Sequence, residues 1–354
     1  MLKNILKSCI TAAAVIAMAA PAMAADEPTV TVNGDIVEYF GQYTNGAEGE
    51  VAHFQNVGEA HLKLNATIGK VKVYYEIESR DGGLDAPATS QAFNAAQRKI
   101  SYVSPIGLVS IGTITNYAGV PLAYGGGAKT SSMAPAPWWD LYYAGYVEAD
   151  GIDLAIPVGE HLFQVSYWDS AAVAVAGANK AGTTMALSAT IQAGPAKVRL
   201  GQTSQIRNTD NNWNGDDVGG SDTLSDTFMQ AGVLVPFGNM GIAFTYAIGT
   251  QAVSSSVNQT NTVMNLQFNM NEAGPGNLIV SYESKAWAVD STDFSAVAEM
   301  GLSYDIPLAT GCGVQIVYYS EATTATDDAV TAAMAASNKT ITKTYMGAGL
   351  YAKF

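Results

Sequence analysis

The sequence predicts an all-β protein, a closed transmembrane antiparallel β-barrel of sixteen strands, and three observations predict it. Apolar and hydrophilic side chains alternate strictly over segments of about ten residues, the pattern of a strand with lipid on one face and water on the other. Proline recurs at Pro105, Pro157, Pro195, Pro236, Pro275 and Pro307, with gaps of 52, 38, 41, 39 and 32 residues. An export-type leader opens the chain, yet nothing after it approaches the ~20 apolar residues of a spanning helix.

Met1–Ala24 carries Lys3 and Lys7, an apolar run from Ile10 to Ala20 and Ala22-Met23-Ala24. A charged start, an apolar middle and an A-x-A site read as a cleaved signal peptide, leaving 25–354 as one barrel domain. Without the two leader lysines, 15 basic and 31 acidic side chains remain, a net charge of −16. Nucleic acid is excluded as a partner, because phosphate contacts need a basic face. Charged residues are only 14% of the 354-residue chain, against about 25% in an average soluble domain.

The prolines sit in short Gly- or Asn-containing segments such as Val235-Pro-Phe-Gly-Asn239. Proline does not serve a sheet interior, so these segments mark turns. A period near 40 suits a propeller of short strands or a barrel of long hairpins. Strand length decides for the barrel. In 71–80, Val71, Val73, Tyr75 and Ile77 oppose Lys72, Tyr74, Glu76 and Glu78. In 263–270, Met264, Leu266, Phe268 and Met270 oppose Asn265, Gln267 and Asn269. Segments 184–191 and 296–305 repeat the pattern, with Met185, Leu187 and Ile191, then Met300, Leu302 and Tyr304, on the apolar side. Soluble sandwich strands alternate too, but run only ~5–6 residues.

Read in order, the strands fall near 29–43, 59–68, 70–80, 98–104, 108–115, 144–156, 161–170 and 182–192. The second half follows at 197–205, 225–235, 240–249, 260–270, 277–286, 294–305, 312–321 and 340–354. Seven connections are short and read as periplasmic turns; eight are longer, polar outer loops. An even count with both termini on one side lets the sheet close without an edge.

These residues carry a family likeness. Val30-Thr-Val-Asn-Gly-Asp-Ile36, the stretch from Phe93 through Arg98-Lys-Ile-Ser-Tyr-Val103, Gly107-Leu-Val-Ser-Ile-Gly112 and the terminal Tyr345–Phe354 segment are its motifs. Together with the leader and the strand count, they make the mature chain resemble the sixteen-stranded general diffusion porins of Gram-negative outer membranes. In that family a terminal Phe on an alternating last strand is the assembly signal, here Phe354, in phase with Met346, Ala348, Leu350 and Ala352. The resemblance implies a homotrimer in outer-membrane lipid and lipopolysaccharide, passing small hydrophilic solutes and ions. It also implies a third loop, about 116–143, folded into the lumen. A substrate-specific sugar channel is the alternative. Trp138 and Trp139 in that loop read either as membrane-interface anchors or as a stacking surface for sugars.

Lumen and constriction candidates are Asp35, Lys63, Lys72, Glu76, Lys99, Asp140 and Arg199. Asp35 stands where family members often carry a base, and Thr113 where the fifth strand often ends in Arg. With the acidic net charge, these departures predict a mild preference for cations. Glu38 falls on the apolar phase, where a charge costs up to ~2–4 kcal/mol in lipid, less near the rim.

Asp210, Asn212 and Asn214, followed by Gly215, resemble the start of a D-x-[DN]-x-[DN]-G calcium loop. The twelfth position is Ser221 rather than a bidentate Glu, and acidic turn chemistry explains the same residues. No other cofactor is implied. His53, His61 and His161 stand in no recognisable catalytic or metal spacing, so an enzyme is not expected. Cys9 leaves with the leader and Cys312 has no intramolecular partner.

Overall fold

A computed structural model describes residues 29–44, 51–80, 93–115, 118, 122, 148–170, 182–207, 224–252, 258–289, 292–325 and 340–354. Sixteen strands occupy nearly all of them. They are β1 (Thr29–Thr44), β2 (His53–Ile68), β3 (Val71–Arg80), β4 (Phe93–Ser104), β5 (Gly107–Thr115), β6 (Glu148–Val158), β7 (His161–Ser170) and β8 (Gly182–Ala193). The ring continues with β9 (Ala196–Arg207), β10 (Leu224–Phe237), β11 (Met240–Ala252), β12 (Asn258–Ala273), β13 (Gly276–Val289), β14 (Thr292–Ala309), β15 (Cys312–Ala325) and β16 (Thr340–Lys353). Each pairs antiparallel with its sequence neighbour, and β1 pairs with β16 to close the barrel.

Seven two-residue turns join the strands at one end, and six of them carry a glycine with φ between 56° and 81°, from Gly69 to Gly311. That left-handed conformation suits the twist of a tight hairpin and is strained for other residues. Pro105, Pro195 and Pro275 lie in the turns, while Pro157, Pro236 and Pro307 occupy the last residues of their strands.

The two faces separate as the alternation requires. On β1, Val30, Val32, Ile36 and Phe40 point outward and are exposed, while Val37, Tyr39 and Tyr43 point inward and are buried. Phe40 stacks on Phe54 of β2 on the outer face, ring centroids 5.2 Å apart. Glu38 does lie on the outward phase, its carboxylate resting against the bare Cα of Gly58.

The closing seam is built from tyrosines lying on glycines. Tyr39 of β1 covers Gly349 of β16, and the Tyr345 hydroxyl reaches over Gly41 and Gly347. Tyr351 covers Gly313 of β15. A side chain at any of these glycines would occupy the volume the rings fill. With Val37, Tyr43 and Val317, these rings form the largest apolar cluster among the described residues. On the other face Phe354 pairs its backbone with Gly34, N–H to O distances of 2.9 and 3.0 Å, and lays its ring over that glycine.

Several strands run further than the hydropathy pattern reaches. β2 starts at His53, which pairs with Tyr43 instead of lying in a loop, and β4 starts at Phe93. β6 is described from Glu148, four residues later than its pattern starts. Ladder hydrogen bonds belong to the backbone, so pairing continues past the apolar band into polar sequence. The leader 1–24 lies outside the described residues.

Deleting Phe354 is expected to remove most heat-modifiable barrel from outer-membrane fractions, while any channels that do assemble keep wild-type conductance. Altered conductance with normal membrane levels would refute the assembly role. Tyr39→Ala, which uncovers Gly349 and empties the seam, should destabilise the folded barrel by about 3 kcal/mol in denaturant unfolding.

Candidate functional site: the barrel lumen

Side chains of the inward phase define the lumen, and they are overwhelmingly hydrophilic. β12 alone contributes Asn261, Asn265, Gln267 and Asn269. Such residues have no place in lipid, so the register that turns Met264, Leu266 and Phe268 outward necessarily turns these inward.

A charged cluster sits on β1–β3. Cross-strand register sets Lys63 opposite Glu76 and Asp35 opposite His61. Lys63 Nζ lies 3.1 Å from Asp35 Oδ1 and 3.5 Å from Glu76 Oε1. Glu76 also contacts His61 Nδ1 at 2.7 Å and accepts a hydrogen bond from the Tyr74 hydroxyl. One ammonium therefore stands between two carboxylates, and Tyr74 and His61 fix one of them. Lys72 is exposed two residues beyond the β2–β3 turn, and Lys99 Nζ stands 5.8 Å from the Tyr74 ring centroid, within cation–π range. The sequence-predicted residues Asp35, Lys63, Lys72, Glu76 and Lys99 thus gather on one wall.

Arg199 lies on the inward phase of β9, eight strands around the ring from β1. Its Nε donates to Thr190 Oγ1 at 3.1 Å. Asp140, and the loop aromatics with it, lie outside the described residues. Thr113 proves to face outward, because β5 turns Ser110, Gly112 and Ile114 inward. Its hydroxyl serves an outer-surface pair instead, the Arg98–Asp150 salt bridge at 2.7 Å, whose side chains are 70% and 59% exposed. Asp210, Asn212 and Asn214 also lie outside the described residues. Among the described residues no three His, Cys, Asp or Glu side chains gather closely enough to hold a metal ion.

Sequence reasoning missed a second network on β12–β16. Glu283, Glu299 and Glu321 stand directly opposite one another on three successive strands, flanked by Asn265 and Lys343. Like charges in that register repel. Lys285 answers them, 2.6 Å from Glu299 and 3.7 Å from Glu283, while Asn265 donates to Glu283 at 3.1 Å. Lys343 approaches Glu321 at 3.7 Å, and Tyr319 donates to it at 2.9 Å. Alternation alone marks each of these residues as inward. Their common level emerges only from the pairing of five strands.

The wall is unevenly open. Lys63, Asn65, Lys72, Tyr74, Gln97 and Lys99 on β2–β4 keep solvent access, as do Ser188, Thr190, Lys197 and Arg199 at the turn ends of β8 and β9. Glu283, Glu299, Thr203 and Asp226 are almost wholly buried. Solvent access is thus concentrated on two stretches of the inner wall, and Lys63, Lys72 and Lys99 lie on one of them.

With this geometry in place, the architecture is that of the sixteen-stranded porins of Gram-negative outer membranes. No family model matches the sequence, and no curated protein matches it. Solved structures do. An anion-selective porin from Comamonas acidovorans is 15% identical at a TM-score of 0.67, over 93% of this chain and 100% of that one. The trimer form of OmpT, an outer membrane protein of Vibrio cholerae, is 12% identical at a TM-score of 0.65, over 93% and 100%. OmpF of Salmonella typhi in complex with daunomycin is 12% identical at a TM-score of 0.60, over 92% and 97%. At these identities the likeness is one of fold.

Lys63→Met should leave Asp35 and Glu76 facing the path without their shared ammonium, and should move the reversal potential in a KCl gradient toward stronger cation preference. An unchanged reversal potential would place the cluster off the ion path.

Proposed function

We propose that this chain forms a water-filled channel in the Gram-negative outer membrane for passive diffusion of small hydrophilic solutes and ions. The observation that carries this reading is a closed ring of sixteen strands with an apolar exterior and an inward phase of amides, hydroxyls and charges. Such a wall stabilises water and dissolved ions. The chain works in this reading as a homotrimer, delivered by its cleaved leader, with its outer loops among lipopolysaccharide.

A mild preference for cations completes the proposal. It is supported by the net charge of −16 on residues 25–354 and by the carboxylates at Asp35, Glu76 and Glu321, each next to the lumen. Acidic rings favour cations at close quarters. Charges farther than ~8–10 Å from the path are screened at physiological salt, so wall residues outweigh distant loops. Lys72 and Lys99 oppose this preference from β3 and β4, and the similar Comamonas porin is named as anion-selective.

Purified protein in a planar bilayer tests both parts. Large, unsaturating conductance with a cation-selective reversal potential at low ionic strength is expected. A conducting pore of anion-selective sign would assign control to Lys72 and Lys99, and current blocked by neutral sugars would favour the sugar-channel alternative. Absence of conductance would remove the channel reading.

A further inference from the structure

The connection leaving β5 does not follow the wall. Ala118 is buried, and its backbone carbonyl and Cα occupy the volume where a Cβ on Gly201 would sit. Gly201 lies on the inward phase of β9, four strands from β5. Four strand spacings of ~4.8 Å make a path of ~19 Å along the sheet. The four residues from Ile114 to Ala118 reach at most ~14 Å when extended. β5 still pairs with β6 at Thr115–Glu148, so the chain leaves the wall after Thr115, and Ala118 stands inside the lumen against β9.

One buried cluster built on Trp168 holds it there. The Trp168 indole N–H on β7 donates to the Ile114 carbonyl at 3.2 Å. Trp168 is completely buried, its ring lying over Gly151 of β6. Ile114, Ala118, Trp168 and Ala186 of β8 then form one buried apolar cluster. An indole and a group of methyls facing the inside of a channel have no use in contact with water. Packed under a crossing segment, they are accounted for.

We propose that Gly201 and Trp168 are positioning residues that seat the root of the third connection on the β7–β9 wall and so set the bore of the channel. Gly201 supplies the bare backbone against which Ala118 rests. Trp168 supplies a hydrogen bond to the Ile114 carbonyl near the end of β5 and the flat surface packed with Ala118. The bore thus depends on a glycine and a tryptophan that touch no solute.

This inference rests on the channel reading, and one experiment separates the two. Full-length wild type, Gly201→Ala, Trp168→Phe and Gly232→Ala are purified from outer membranes and compared in planar bilayers and by heat-modifiable migration. Gly232 is a second inward glycine, whose added methyl meets the movable Thr245 hydroxyl rather than the third connection. The expected result is a single-channel conductance peak displaced by half or more in Gly201→Ala. A smaller displacement is expected in Trp168→Phe, which loses only the N–H donor, and none in Gly232→Ala. All four should migrate as folded barrels. Wild-type conductance in both Gly201→Ala and Trp168→Phe would overturn the seating role while leaving the channel reading intact. Equal displacement in Gly232→Ala would also overturn it, because the effect would then belong to any wall glycine. A silent wild type would instead defeat the channel reading itself.

Discussion

Every feature of this protein follows from one constraint: a peptide group in hydrocarbon must find its hydrogen-bond partner within the protein. A β-strand cannot satisfy its own backbone, so each strand needs two neighbours, and a finite sheet satisfies all of them only by closing. β1 meets β16 over the full run from Asp35–Lys353 to Thr44–Thr344, and no edge remains in the apolar band. Closure is also the step with the largest sequence separation, joining the two ends of the chain. That is where the tyrosine–glycine contacts of Tyr39, Tyr345 and Tyr351 are concentrated. A flat ring over a bare backbone buries apolar area without forcing adjacent strands apart, which is what a seam between distant segments requires.

Once the ring is closed, strict alternation divides the molecule into two solvents. On the outer face Glu38 and the Arg98–Asp150 pair are charged among apolar neighbours. The inner face is where individuality lies. Carboxylates outnumber bases in the β13–β15 row, and Lys285 is drawn into close contact with two of them. Buried charge demands such pairing, because an isolated ion removed from water costs far more than the pair. On the open β2–β4 wall the same rule is relaxed: Lys63 is shared between Asp35 and Glu76, while Lys72 stands in solvent. The inner face of β2–β4 thus sets a paired cluster beside exposed lysines. Net charge alone does not measure that balance, since Asp35, Glu76, Glu283 and Glu299 are already paired with lysines.

The crossing of the lumen at Ala118 shows how small residues govern a large opening. Gly201 has no conformational peculiarity; its importance is the missing side chain. Trp168, by contrast, reads in the sequence as one more inward aromatic at the end of a strand. Its partner is the carbonyl of Ile114, 54 residues earlier. Neither residue carries a signature of channel function, and both derive their meaning from a backbone that passes close to them.

The sequence by itself determined the class of fold, the number of strands and the face to which nearly every side chain points. Period-two alternation is a local property, and lipid enforces it residue by residue. Asp35, Lys63, Lys72, Glu76, Lys99 and Arg199 were legible as inward residues for that reason, and Phe354 as an outward one. Strand ends were less legible, as His53 shows, because backbone pairing continues where the hydropathy signal stops. Thr113, matched to a family position often held by Arg, lies on the outward phase, because a single position near a strand end gives no register. Only the tertiary structure decided which inward residues share a level, which wall remains open and where the third connection begins its crossing. Those depend on how far each strand slides against its neighbour, and that offset is set by backbone hydrogen bonds summed around a closed ring, not by any one segment of sequence.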